Sequence, residues 1–280
     1  MRRGLVTGSI AIVAAFAAAA AAAAPTSASD VSSNWSGYTV TGVGSTGTTA
    51  ASTMTFTDVT GTWVQPTATC APGDTSSAAM WVGLGGYSET SQALEQTGTE
   101  VDCSIAGKAT YSMWYEIVPQ PSQAVKLKIS AGDTITASVY VTNGTDVLVQ
   151  LKDRTRHTSF TKHVTVAQPD LTSAEWITEA PSVCNQFGQC STVGLANFGS
   201  VTFSKIATIG NGQGGTLMGT GWQDTPIQLI PQGRGRFFGN VQQSASSTAG
   251  ATPASPAAGC SPAGCSFTVN YVANATLNSD

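Results

Sequence analysis

The residues best suited to chemistry are a few acids and one amide set among tryptophans. Glu116 follows Trp114 and Tyr115. Glu179 closes the run Ala174-Glu175-Trp176-Ile177-Thr178-Glu179. Gln96 and Glu100 belong to Glu95-Gln96-Thr97-Gly98-Thr99-Glu100. Trp35 and Trp81 head two further aromatic segments, Trp35-Ser36-Gly37-Tyr38 and Trp81-Val82-Gly83-Leu84. A carboxyl walled by aromatic rings loses solvation. Its pKa rises, and it becomes useful as a general acid or base near working pH. Alternation along a strand puts Leu94, Gln96, Gly98 and Glu100 on one face. It likewise groups Ser112, Trp114 and Glu116, and Glu175, Ile177 and Glu179. On this pattern Glu95 reads as an outward-facing strand residue with no role. Glu116 and Glu179 read equally well as outward strand positions or as a catalytic pair. Gln96 reads as an ordinary hydrogen-bonding residue.

Other chemistries lack their signatures. There is no H-E-x-x-H, no G-x-S-x-G, and no Asp-Thr-Gly or Asp-Ser-Gly. His157 and His163, the chain's 2 histidines, stand beside Arg154, Arg156 and Lys162, which predicts a solvated face rather than a base or a metal ligand set. Gly210-x-Gly212-x-x-Gly215 matches a dinucleotide fingerprint in letters, but no helical pattern follows it. No metal or cofactor is expected.

The elements that must position these residues are strands. Only 10% of the 280 residues are charged, against about 25% in ordinary domains. Gly, Ser and Thr are abundant, and helix-forming runs of Leu, Glu and Lys are missing. Polar and apolar residues alternate along Thr53–Thr57, Thr134–Val141 and Val147–Leu151, and Asn143-Gly144 between the last two suits a type I′ turn. Further β-rich runs fall at Ser36–Val40, Met80–Leu84, Ala109–Ile117, Val125–Ile129, Thr158–Val166, Ser200–Ala207 and Ser266–Val272. The pattern predicts an all-β, antiparallel sandwich or barrel. The Ser-, Ala- and Pro-rich stretch at about 242–259 is expected to be a long surface loop before the last strand.

Arg2 and Arg3, an Ala-rich apolar run and Thr26-Ser27-Ala28 have the order of a secretory signal peptide over residues 1–28. A single domain over 29–280 then remains, with no membrane attachment after cleavage. Cys70, Cys103, Cys184, Cys190, Cys260 and Cys265 form an even set, which in an exported chain predicts disulfides. Pairing of neighbours, Cys70–Cys103, Cys184–Cys190 and Cys260–Cys265, is the simplest scheme. Sequons occur at Asn34, Asn143 and Asn274. The formal net charge of −4, with no basic stripe, argues against a nucleic-acid partner.

Taken in order, the motifs resemble those of the glutamic peptidases, or eqolisins, including their bacterial members. The match runs through Asn34-Trp35-Ser36-Gly37, Gly61-Thr62-Trp63-Val64-Gln65-Pro66, Trp81-Val82-Gly83-Leu84 and Glu95-Gln96-Thr97-Gly98. It continues through Trp114-Tyr115-Glu116, Ser130-Ala131-Gly132-Asp133, the run ending at Glu179, and Phe198-Gly199-Ser200-Val201-Thr202-Phe203. The resemblance implies a concanavalin A-like sandwich of two antiparallel sheets, one bent into a substrate groove. It implies a secreted, extracellular, acid-acting endopeptidase, monomeric, acting on proteins or peptides. Gln96 and Glu179 take the family's catalytic positions. Trp35, Trp81, Glu100, Trp114, Tyr115 and Glu116 take substrate-binding or supporting ones. Family members often carry Asp where this chain has Gly85, Ser112 and Glu100. Trp35 follows the expected cleavage point closely, so secretion in a directly active form is expected. The competing expectation is a glycoside hydrolase or carbohydrate-binding module on a similar sandwich. It would use Glu116 and Glu179 as its carboxylates and the tryptophans as sugar platforms.

Overall fold

The computed structural model describes residues 29–43, 54–73, 75–184, 190–219, 221–231, 241–242, 248–257, 260–261 and 264–276. The expected signal peptide at 1–28 lies outside the described residues. In chain order the strands are β1 (Asp30–Ser32), β2 (Trp35–Gly42), β3 (Phe56–Val64), β4 (Ser76–Gly85), β5 (Leu94–Cys103), β6 (Ala109–Ile117), β7 (Gln123–Val125), β8 (Thr134–Thr142), β9 (Asp146–Asp153) and β10 (Thr158–Thr165). They continue as β11 (Ser173–Glu179), β12 (Ser182–Cys184), β13 (Cys190–Thr192), β14 (Gly194–Leu195), β15 (Ser200–Gly210), β16 (Gln213–Gly215), β17 (Trp222–Leu229), β18 (Val241–Gln242), β19 (Gly250–Pro253) and β20 (Phe267–Val272). Among the described residues there is no helix.

Two antiparallel layers result. The front layer runs β7–β6–β5–β4–β11–β2–β17. The back layer runs β15–β3–β8–β9–β10. Strand β15 joins them. Ser200–Phe203 pair with β20, which continues to β19 and β17 of the front layer, whereas Ser204 onward pairs with β3. A register shift between Ser204 and Ala207 marks the corner, and Lys205 sits there at φ 48°. A bulge of this kind bends a strand from one layer to the next. A small sheet of β12, β13 and β18 lies apart.

Alternation fills the space between the layers. Met80, Val82 and Leu84 of β4, Trp176 of β11, Val59 and Trp63 of β3, Phe203 of β15 and Val149 and Leu151 of β9 are all buried there. Each large side chain so covered contributes about 1.5–3 kcal/mol. The Trp63 and Trp176 indoles donate to Thr99 Oγ1 at 3.1 Å and to the Thr60 carbonyl at 2.7 Å, so neither ring leaves a polar atom stranded in the core.

The Asn143-Gly144 turn forms as expected, with φ of 53° and 73° between β8 and β9. Other expectations shift. Strand pairing ends at Val125, so the run Val125–Ile129 is not a strand along its length. The 242–259 stretch is not all loop, because β19 pairs with β20 and β17. Cys70–Cys103 and Cys260–Cys265 are bonded. Cys190 is also disulfide-bonded, and the backbone of Cys184 lies opposite it; the Cys184 side chain lies outside the described residues. His157 and His163 are exposed. Both ion pairs among the described residues belong to Arg156, with Asp133 at 2.6 Å and Asp153 at 3.6 Å.

Candidate active site

The outer face of the front layer carries three rows of side chains that cross its strands. The first row reads Thr39, Glu175, Gly83, Gln96 and Glu116 from β2 to β6. The second reads Gly37, Ile177, Trp81, Gly98 and Trp114, and the third reads Trp35, Glu179, Ala79, Glu100 and Ser112. Side chains directly opposite across strands stand about 5 Å apart at Cβ, so the rows form a continuous floor. Along it opens a groove of about 570 Å³. Trp35, Gln96, Glu100, Trp114, Glu116 and Glu179 all line it. Beyond them the β6–β7 turn, with Val118 and Pro119, and the segment after β11, with Pro181 and Ser182, form the walls.

Glu179 lies at the end of β11 with one face open to the groove. Its Oε1 accepts from Asn34 Nδ2 at 2.8 Å and its Oε2 from Trp81 Nε1 at 2.7 Å. Trp35 packs edge-on against Trp81, ring centroids 5.0 Å apart. Two influences oppose each other at this carboxyl. Burial under the tryptophans pushes it up, to about 8, with the Glu116 charge adding to the rise. The Trp81 and Asn34 donors pull it down, because they favour the carboxylate.

On β5, the Gln96 amide donates from Nε2 to Glu116 Oε2 at 2.7 Å. The Gln96 Oε1 atom is buried without a partner, as is the indole N–H of Trp114. Burial raises Glu116, and the Gln96 hydrogen bond opposes that rise. Burial also raises Glu100, to about 7, with Asp102 beside it as the next cause.

The remaining candidates divide by face. Trp81 lies in the floor, fully buried, and reaches the groove through Glu179. Tyr115 points to the other side of β6 and stacks on Phe160 with centroids 5.7 Å apart, so it supports the strand from behind. Asn34, read in the sequence as a sequon and as a member of the Asn-Trp-Ser-Gly motif but given no role, is 0% exposed and holds Glu179. Its position beside Trp35 in the Asn-Trp-Ser-Gly motif is the signal that could have found it.

Glu95 is not outward-facing. It lies on the core side of β5, 0% exposed, with neither carboxyl oxygen hydrogen-bonded by a neighbouring group. The front layer is covered on both faces here, so alternation offers no solvent side. Burial pushes Glu95 up to about 8, with Asp170 adding to the rise. Glu175, on the groove side but beneath it, is likewise fully buried and raised by desolvation.

At Gly85 an acid is present after all, supplied from elsewhere. A Cβ at residue 85, where φ is +82°, would lie 2.5 Å from the Asp170 Cβ. The Asp170 carboxylate accepts from the Gly86 amide at 3.1 Å, from Ser91 Oγ, and from the Thr172 amide and hydroxyl at 2.9 and 2.7 Å. It ties the β4–β5 connection to the start of β11. Among the described residues no three His, Cys, Asp or Glu side chains are arranged to hold a metal ion.

This groove, with its amide, its carboxyl and its tryptophans, coincides with a family match. The profile of the Peptidase A4 family covers residues 33–250. The chain belongs to the Peptidase A4 family, the eqolisins, which are glutamic peptidases. Three solved structures share the fold. Scytalido-glutamic peptidase with a transition state analog inhibitor is 24% identical with a TM-score of 0.63, covering 86% of this chain and 98% of that one. SCP-B, an eqolisin in complex with the tripeptide Ala-Ile-His, is 23% identical with a TM-score of 0.61 over the same shares. Aspergilloglutamic peptidase from Aspergillus niger is 25% identical with a TM-score of 0.50, covering 70% and 99%. A comparison with curated protein sequences gives no match.

Proposed function

We propose that this eqolisin is a secreted, acid-acting endopeptidase in which Glu179 exchanges protons and Gln96 stabilises charge. The observation that carries this is the placement of the Gln96 amide and the Glu179 carboxyl in one groove, each held by its own hydrogen bonds. An extended peptide laid along the rows brings a scissile carbonyl between them. Glu179, as carboxylate, takes a proton from a water attacking the carbonyl carbon. The C–O bond forms and negative charge gathers on the carbonyl oxygen. The second N–H of the Gln96 amide donates to that oxygen, a contact worth roughly 3 kcal/mol in comparable sites. Glu179 then passes its proton to the leaving nitrogen as the C–N bond breaks. Gln does not titrate, so the donor survives acid.

The proton on Glu179 sets the pH dependence. Burial outweighs the N–H donors, so the carboxyl is neutral in the free groove at acid pH, and the carboxylate that takes the proton from water forms only with substrate bound. Its open face and its N–H donors favour ionisation, and polar groups of a bound substrate add to them. Binding of a tripeptide by SCP-B supports peptide as the substrate class. Glu116 as a glycosidase carboxylate fits less well, because it is engaged in holding Gln96.

Digestion of denatured protein between pH 2 and 8, with pepstatin present, tests the proposal. Wild type is expected to cleave in acid despite pepstatin, and Gln96→Ala and Glu179→Ala to lose cleavage. Full activity in either folded variant overturns the assignment.

A further inference from the structure

Glu179 is held by a chain of buried polar groups that starts outside the groove. Ser32 ends β1, and Asn34 stands just before β2. Both are 0% exposed, and neither lines the groove. The Ser32 hydroxyl takes part in three hydrogen bonds. Its Oγ accepts from the Asn34 backbone N–H at 3.3 Å and from the Trp35 backbone N–H at 3.0 Å, and it donates to Asn34 Oδ1 at 2.9 Å. Asn34 in turn donates from Nδ2 to Glu179 Oε1 at 2.8 Å. The backbone makes a second tie at the same place, since the Ala180 amide donates to the Asn34 carbonyl at 2.9 Å.

A hydroxyl offers two acceptor lone pairs and one proton. The two backbone N–H groups fill both lone pairs of Ser32, so only its proton remains for the Asn34 side chain. That proton needs an acceptor. The oxygen of the Asn34 amide therefore faces Ser32, and its nitrogen faces Glu179. Shape alone would not decide this, because the two ends of an amide are nearly the same size. The reverse orientation sets an N–H against the Ser32 proton and an oxygen against the Glu179 carboxylate, and both contacts repel.

We infer that Ser32 and Asn34 are positioning residues of the peptidase: Ser32 fixes which way round the Asn34 amide sits, and Asn34 thereby holds the Glu179 carboxylate in place for the attacking water. The inference rests on the peptidase reading of Glu179. It makes β1 part of the active site, although β1 does not line the groove. The strand is anchored for the task. It pairs in parallel with Ile227–Leu229 of β17, the Ile230 amide donates to the Ser32 carbonyl at 2.9 Å, and the Tyr87 hydroxyl donates to Asp30 Oδ2 at 2.9 Å. The Asn34 donor favours the ionised acid and so opposes the burial that raises Glu179. The other acids that face Glu179 are Glu116 on β6 and, across Ala79, Glu100 on β5. The described residues lining the groove include no Lys, Arg or His. The carboxylate therefore depends on its N–H donors, and loss of one bears hardest on the form that takes the proton from water.

Steady-state kinetics on one peptide between pH 2 and 8 tests this, with thermal melts to confirm folding. Asn34→Leu keeps the branched shape and removes the N–H. It is expected to lower kcat by about 10- to 100-fold, to leave KM within about twofold, and to move the acidic limb of the kcat profile upward. Ser32→Ala keeps the amide but frees its orientation. It is expected to give the same pattern with a loss of about three- to tenfold. A packing role alone predicts a lower melting midpoint with the limb unmoved, so the movement of the limb is the deciding readout. Wild type supplies a second measurement that needs no variant to fold. In isotope-labelled protein followed by NMR, one Asn34 side-chain amide proton is expected to move downfield as Glu179 ionises. Folded variants with a wild-type kcat and limb overturn this inference alone, and so does an Asn34 side-chain amide that ignores pH. Wild type that cleaves no peptide overturns the peptidase reading with it.

Discussion

The Trp81 indole donates to Glu179 Oε2 at 2.7 Å from the strand next to the one that carries the acid. The bond runs along the groove floor, within reach of Trp35. It makes an otherwise apolar ring part of the proton chemistry. Trp81→Phe keeps a ring in the floor and removes only the N–H. Loss of a donor to a charged group is expected to lower kcat/KM by about 10- to 100-fold. It also moves the acidic limb of the pH profile upward, since a donor that favours the carboxylate is gone. A profile that falls in height without shifting would show that the ring acts through packing alone.

Gln96 is aimed by Glu116. The 2.7 Å bond from Nε2 fixes the amide plane and leaves its second N–H for substrate. Glu116→Gln retains an acceptor oxygen at that point, whereas Glu116→Ala retains none. The expected order is a mild effect for Gln and a loss in kcat of about 10- to 100-fold for Ala, with KM changed much less. Steady-state kinetics on a single peptide separates the two. Equal losses in both variants would mean that the Glu116 charge, rather than its grip on the amide, is what matters.

Stability is expected to be highest in acid and to fall toward neutral pH. Asp58 is pushed up to about 6, Glu100 to about 7, and Glu95 and Glu179 to about 8, in each case chiefly by burial. In the unfolded chain such groups titrate near about 4. Between about 4 and 8 the folded protein therefore holds protons that the unfolded chain has released. Unfolding then releases protons, and stability falls as pH rises through this window. Below it both states are protonated and the full benefit is present. The opposite trend is usual where carboxylates are paired with cations, and here only Arg156 makes such pairs among the described residues. Thermal melts from pH 3 to 9 check this; a midpoint that rises between pH 4.5 and 8 contradicts it.

Much of the scaffold was legible because alternation reports directly on a layer with one solvent face. β8, β9 and the Asn143-Gly144 turn are such a case. β17 was not legible: Asp224 and Pro226 break its pattern, yet its residues pair with Gly37–Gly42 of β2 beside the groove sheet. Parity correctly grouped Trp114 with Glu116 and Ile177 with Glu179, but no local pattern says that these faces meet in one groove. That came from the ordered motif resemblance. Asn34 was hidden by a pattern belonging to another process, since a sequon predicts exposure and this one is buried against Glu179.

Glu95 shows where alternation misleads, and it yields a test. Its strand is covered on both sides, so the face opposite Gln96 is core rather than solvent. Its neighbours across the strands are Leu84 and Ile117, both apolar and buried. A carboxyl there, with both oxygens unpartnered, stays protonated or destabilises the fold. Replacing a buried unpartnered polar group with an apolar one of similar size is neutral or stabilising. Glu95→Leu is therefore expected to leave the melting midpoint nearly unchanged at pH 4, where the native acid is already neutral. At pH 8, where it begins to ionise, the variant is expected to melt higher than wild type. The difference between the two pH values, rather than either midpoint, is the measurement. A destabilisation that grows with pH would show that the Glu95 charge is used by the fold.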